Sequence, residues 1–189
     1  LFNNHLRSLS GIGDCNQAEP GRICQKRLQQ AQSVATMIQA EQAASALTGI
    51  ISVGDHNAFE FTDGHVDVIG QLAGVVNPAT QQLSAPTIPN PPLQIGATLL
   101  PEAERYTFIN VGRELNVLDH FVMSANLQSL FAGIEVARGN SDAPRAFETD
   151  RLFANGTEEA RVVPYGILRV SDHDGAVLRL NLPALKPKQ

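Results

Sequence analysis

No stretch of this sequence comes near the ~18 consecutive apolar residues that a membrane-crossing helix requires, so no spanning segment is expected. The chain also lacks a basic excess. Its 14 Lys and Arg stand against 19 Asp and Glu, for a net charge of −5, which argues against capture of nucleic acid by a broad basic face. A phosphate substrate is still open to it, because a bound divalent cation supplies positive charge locally. Cysteine is nearly absent. The two present, Cys15 and Cys24, fall in the loop-like stretch GIGDCNQAEPGRIC. With the five histidines scattered, a four-ligand zinc site is not expected. A disulfide formed in an oxidising compartment is expected, the other reading being two free surface thiols. Neither an initiator Met nor a signal peptide opens the chain, which begins at Leu1, so a processed or truncated polypeptide is expected. There is no internal repeat.

What is present describes an ordinary globular domain: 189 residues, 43% of them hydrophobic and 17% charged, enough for one sizeable core. Leu1 to Leu6 reads as the end of a strand. From Arg22 to Ala44, apolar Leu28, Ala31, Ala35 and Ile38 recur at helical spacing. The run LTGIISV, Leu47 to Val53, reads as a buried strand. Val68 to Pro101 has no charged residue and six of the 11 prolines, and is expected to be a long irregular connection, either shaping a binding site or running over the surface. Strands are expected at Tyr106 to Val111, Leu115 to Ser124, Phe131 to Ala137 and Gly175 to Leu182. Asn140 to Ala160 is polar and turn-rich and holds an Asn155-Gly156-Thr157 sequon. The pattern indicates mixed α and β.

Four short segments concentrate groups that bind metal or phosphate: Asn4-His5-Leu6-Arg7-Ser8, Gly54-Asp55-His56-Asn57, Leu118-Asp119-His120 and Ser171-Asp172-His173-Asp174. Each is expected at or just past the end of a strand, where a rigid sheet commonly presents reactive groups. Singly, each also reads as a turn device or a surface hydrogen-bonded pair.

Taken together and in order, VGDHNAFEF, VLDHFVMS, RVSDHDGAVLRL and NNHLRS resemble motifs of the endonuclease/exonuclease/phosphatase (DNase I-like) superfamily, in particular its secreted bacterial nuclease branch. The resemblance spans essentially all of residues 1–189 but only the C-terminal two-thirds of that family's domain. It implies a single partial domain: a four-layer α/β sandwich of two packed, mostly antiparallel sheets with flanking helices, the first strands and a metal-binding Glu lying in a missing N-terminal part.

The resemblance also implies roles. Asp55 and Asn57 would hold the scissile phosphate, the attacking water or a metal, and Asp172 would ligate Mg²⁺, or Mn²⁺ or Ca²⁺. His173 would be the general base, oriented by Asp119, and His5 would stabilise charge on a phosphate oxygen. The implied activity is metal-dependent hydrolysis of a phosphodiester, with DNA or RNA as substrate, outside the cell or in the periplasm. Alternatives are a sphingomyelinase-like phospholipase, a sugar-phosphate phosphatase, or an incomplete, non-catalytic binding module. His56 stands where the family has Phe, a packing position, and Gly175 where it commonly has Pro. His120 and His65 are expected to be structural or on the surface, while Glu60 and Asp63 lie near enough in sequence to reach a second metal.

Overall fold

The computed structural model describes residues 1–16, 21–110, 112–142, 151–154, 157–160 and 171–182. Ten strands and two α-helices occur among them: β1 (Phe2–His5), α1 (Arg22–Ala44), β2 (Ile51–Asp55), α2 (Val68–Ala73), β3 (Gln94–Ile95), β4 (Phe108–Ile109), β5 (Leu115–Asn116), β6 (Asp119–Met123), β7 (Phe131–Ala137), β8 (Arg151–Ala154), β9 (Thr157–Ala160) and β10 (Gly175–Leu180). The architecture is mixed α and β. One four-stranded sheet has the order β1-β2-β6-β3, and three two-stranded sheets pair β7 with β10, β4 with β5 and β8 with β9. Every pairing is antiparallel except β1 with β2.

Helix α1 has the bounds its periodicity predicts, and its buried stripe is Cys24, Arg27, Leu28, Ala31, Val34, Ala35 and Ile38. Its N-cap, Gly21, offers no side chain to the first turn. Asp14 substitutes from the preceding loop, its carboxylate accepting the Ile23 N–H at 3.0 Å, which satisfies one of the free donors at a helix start. The expected disulfide is formed. Cys15 and Cys24 are bonded with Cα atoms 5.4 Å apart, and both are buried in the core beside Leu28 and Ile12. The loop is thereby fastened to the helix it precedes.

The charge-free stretch departs from expectation. Its first six residues form helix α2, all of them buried. The Asp67 side chain caps it by accepting the Gly70 N–H at 2.7 Å, and Gly74 ends it in the left-handed conformation at φ 78°, as helix C-termini commonly do. Full burial is the reason charge is absent there. Further along, Gln94–Ile95 adds β3 to the sheet edge. Leu115 to Ser124 is likewise two strands, not one. Thr107 interrupts it, its buried hydroxyl accepting the N–H groups of both Leu118 (3.1 Å) and Asp119 (3.2 Å). The turn-rich segment carries the β8–β9 hairpin; Asn155 and Gly156 of the sequon lie outside the described residues.

The core lies between the helices and one face of the four-stranded sheet, joining Leu28, Ala31 and Ile38 of α1, Ile69 and Leu72 of α2, and Val122 of β6. Side chains alternate across a strand, so the face carrying Ser52, His120 and Val122, all buried, is turned to the helices. Asp55 and Asp119 belong to the opposite face.

Candidate active site

Strand register assembles the site. In the parallel β1–β2 pair His5 is opposite Asp55, and in the antiparallel β2–β6 pair Asp55 is opposite Asp119. Directly opposed residues lie within about 5.5 Å of one another on one face, so three adjacent strands lay His5, Asp55 and Asp119 in a row. Close approach of β1 and β2 depends on Gly54, at φ 128°. A Cβ there would overlap the Asn4 carbonyl oxygen.

Two of the four expected segments sit differently from expectation. Asp119 opens β6, and Ser171 to Asp174 precede β10. Because β6 runs antiparallel to β2, its beginning meets the ends of β1 and β2 at one sheet edge. His173 joins that edge through a bridge to Phe108, and Asp174 N–H donates to the Thr107 carbonyl at 2.7 Å.

The His173 Nδ1 is 2.7 Å from the Asp119 carboxylate, which makes Nδ1 the protonated nitrogen and leaves Nε2 as the free base. This hydrogen bond raises the His173 pKa above its ordinary value. Partial burial opposes the rise, and the charges of Asp119, Asp55 and Asp172 add to it. The Asp55 carboxyl is also held above the usual carboxylate range, first by burial and further by the nearby Asp119 charge, with the Asn57 N–H acting against both. Asn57 clasps that carboxylate, its backbone N–H donating at 2.8 Å and its amide at 3.0 Å. It does so from a left-handed φ of 49°, a conformation asparagine tolerates well. His5 Nε2 is 3.5 Å from Asp55, and the His5 side chain is 79% exposed, so it is open to an incoming ligand.

Asp55, Asp119 and His173 offer ligand atoms within 4.8 Å of one another, a group that can hold a metal ion. Two carboxylates beside the Asn57 amide are a donor set suited to a hard divalent cation. Asp172 is exposed and stands outside that group of three, on the rim of a cavity of about 370 Å³ that Asn57 and His173 also line.

His56 and His120 of these segments, and Asp63 and His65 close by, have structural partners. Asp63 pairs with Arg27 at 3.1 Å and accepts the N–H groups of His65 and Val66, so a second-metal role for it is replaced by a buried ion pair. His56 and His120 are buried, with ring centroids 5.8 Å apart. His56 is held between Ser52 Oγ (3.1 Å) and the Gly54 carbonyl (2.8 Å), and burial lowers its pKa to about 4. His120 Nε2 donates to the Ala58 carbonyl at 2.7 Å, and His65 meets Gln82 at 2.8 Å.

Three residues support the site from outside the row: Thr107 and Arg27, which carry no signal in the sequence, and Asp174, whose segment stands out there but whose supporting role does not. Asp174 is buried and accepts from Asn140 N–H (2.8 Å), Ser141 N–H (3.0 Å) and Ser141 Oγ (2.5 Å). Burial alone would raise its pKa, but these bonds and Arg138 hold it below the usual range. Arg27, 1% exposed, donates to the carbonyls of Arg7 (2.9 Å) and Asn57 (2.8 Å). It thereby ties together the loops that follow His5 and Asp55. Their partners lie 11 or more residues away in sequence, beyond the reach of any local pattern. No family model, no curated protein and no solved structure matches this chain.

Proposed function

We propose that the protein is a divalent-metal-dependent phosphodiester hydrolase, a nuclease acting on DNA or RNA. The observation that carries the proposal is the row His5–Asp55–Asp119 ending in the 2.7 Å Asp119–His173 hydrogen bond. A carboxylate on Nδ1 holds the imidazole in one tautomer and stabilises the imidazolium formed when Nε2 takes a proton from water. At the other end of the row, exposed His5 is suited to donate to a non-bridging phosphate oxygen as charge builds on it.

Asp55 and Asn57, with Asp172 at the cavity rim, are the residues that would hold the cation, Mg²⁺ by preference or Mn²⁺ or Ca²⁺. When bound, it would act as a Lewis acid on the phosphate and offset the negative charge of the site. The resemblance to the DNase I-like superfamily supports the same activity, and with it the four-layer sandwich as the finer description of the fold. The disulfide supports work in an oxidising compartment, outside the cell or in the periplasm. Among the described residues no helix is long and apolar enough to cross a membrane.

The test is hydrolysis of plasmid DNA, a single-stranded oligonucleotide and RNA by the purified protein in Mg²⁺, Mn²⁺ or Ca²⁺ and in EDTA. Cleavage in a divalent cation that EDTA abolishes is the expected result. Absence of cleavage of all three substrates in every cation refutes the reading.

A further inference from the structure

The cavity beside His173 is lined by both polar and aromatic residues. Its volume of about 370 Å³ lies at the small end of the ~300–1,000 Å³ usual for small-molecule sites. Asn57, Asp172 and His173 belong to the lining. So do Phe59, Phe108 and Leu118, and the Phe108 ring lies 5.0 Å from that of His173, centroid to centroid. Outside the cavity the aromatic surface continues. Phe59 stacks on Phe61 with centroids 5.4 Å apart and planes 23° from parallel, and Phe61 is 61% exposed. A flat pair of rings thus leads from solvent to the wall of the cavity that holds the proposed base.

We propose that this aromatic wall takes an unpaired nucleobase beside the scissile phosphate, so that the preferred substrate is single-stranded nucleic acid. The inference deepens the hydrolase reading and rests on it. Charge supplies the first argument. With a net charge of −5, and with Glu114 and Asp172 both on the cavity lining, the protein cannot hold a strand through many phosphate contacts. Its grip must come from neutral surface, and every base has a face that stacks on an aromatic ring.

Polarity supplies the second. Asn110 and Asn116 share the lining with the rings. Amide groups suit the hydrogen-bonding edge of a base, whereas an acyl chain would desolvate them without return. A base within a duplex offers neither a free face nor a free edge and must first be extruded.

Binding is the direct test, in the His173→Ala variant so that the strand is not consumed. Fluorescence anisotropy in Mg²⁺ compares a labelled single-stranded oligonucleotide with its duplex and with an abasic strand of equal length; sedimentation with phosphatidylcholine vesicles tests a lipid surface. The base-bearing single strand should bind about tenfold or more tighter than the duplex or the abasic strand, the scale of one stacking contact. Adding Phe61→Ala should weaken it by about tenfold and leave the abasic strand unchanged, and Phe61→Trp should restore binding. Equal binding of base-bearing and abasic strands, equal weakening of both by Phe61→Ala, preference for duplex or vesicles, or no binding to any strand overturns the inference.

Hydrolysis by the wild-type protein, measured in parallel, separates the two readings. Cleavage without base dependence in binding overturns the single-strand inference and leaves the hydrolase. Base-dependent binding without cleavage in any divalent cation does the reverse.

Discussion

If His173 is the general base, replacing it by Ala removes the ring nitrogen that accepts a proton from water, and the cost can be bounded. General base catalysis contributes about 10²–10⁴-fold, or about 3–5 kcal/mol of barrier at about 1.4 kcal/mol per tenfold. Asp119→Asn should lose most of the same factor, because an amide opposite Nδ1 no longer stabilises the imidazolium and no longer enforces the tautomer. The strand itself should stay in place. Thr107 Oγ1 receives the Asp119 N–H at 3.2 Å, a bond the substitution does not touch.

The two residues act as a unit, so the double variant should be no worse than the poorer single one. The assay is kcat on an oligonucleotide in saturating Mg²⁺, with circular dichroism to verify the fold. An NMR titration of the histidines in EDTA adds a readout independent of turnover. His173 should titrate above its ordinary 6.5, chiefly through the hydrogen bond it donates to Asp119, and fall when Asp119 becomes Asn. A His173→Ala protein keeping more than about a tenth of its activity, against the ~10²-fold minimum expected, refutes the reasoning. So does a wild-type His173 that titrates at or below 6.5.

The buried His56 predicts a pH-dependent stability. Its pKa falls from 6.5 to about 4 on folding, so the unfolded chain takes the proton first. Stability present above pH 6.5 is then lost as pH falls toward 4, by about 3 kcal/mol, and buried His120, also lowered, acts in the same direction. Urea melts in EDTA at several pH values should show this slope, and His56→Phe should flatten it; an unchanged slope in the variant contradicts the account. Arg27→Met leaves Asp63 without its partner and should cost about 3–5 kcal/mol in the same melts, with Asp63→Asn recovering part of the loss. A cost under about 1 kcal/mol, typical of a surface pair, would show that the ion pair holds nothing in place.

Residues whose partners are near in sequence, or whose pattern is periodic, could be read before folding. Helix α1 is legible because its buried stripe repeats over 23 residues, and the Cys15–Cys24 link because no other cysteine competes. Strand β7 is legible as a mainly apolar run, FAGIEVA, interrupted only by Glu135. Helix α2 is not, because six residues buried on every side carry no amphipathic period, and the prolines after it suggest irregular chain. The break before Asp119 is invisible for another reason: nothing local to LNVLDHFVMS forecasts a hydroxyl arriving from Thr107. Of the candidate site, His5, Asp55, Asn57, Asp119 and His173 were nameable from their motifs, whereas the contacts that hold them, made by Arg27, Thr107 and Asp174, cross long sequence separations. Asp63 shows the converse. Near Asn57 in sequence, it serves the helix instead.

Insertions and deletions act on this site differently from substitutions. His5, Asp55 and Asp119 are neighbours only because three strands share one phase. Removing one residue from β6 would leave the backbone ladder able to re-form, yet it would bring Leu118 or His120 opposite Asp55 and turn Asp119 toward the helices. The same slip would carry Val122 out of the core it shares with Ile38 and Ile69. Packing on one face of the sheet therefore proofreads the spacing of reactive groups on the other. A chain that has lost the alignment has therefore also lost stability.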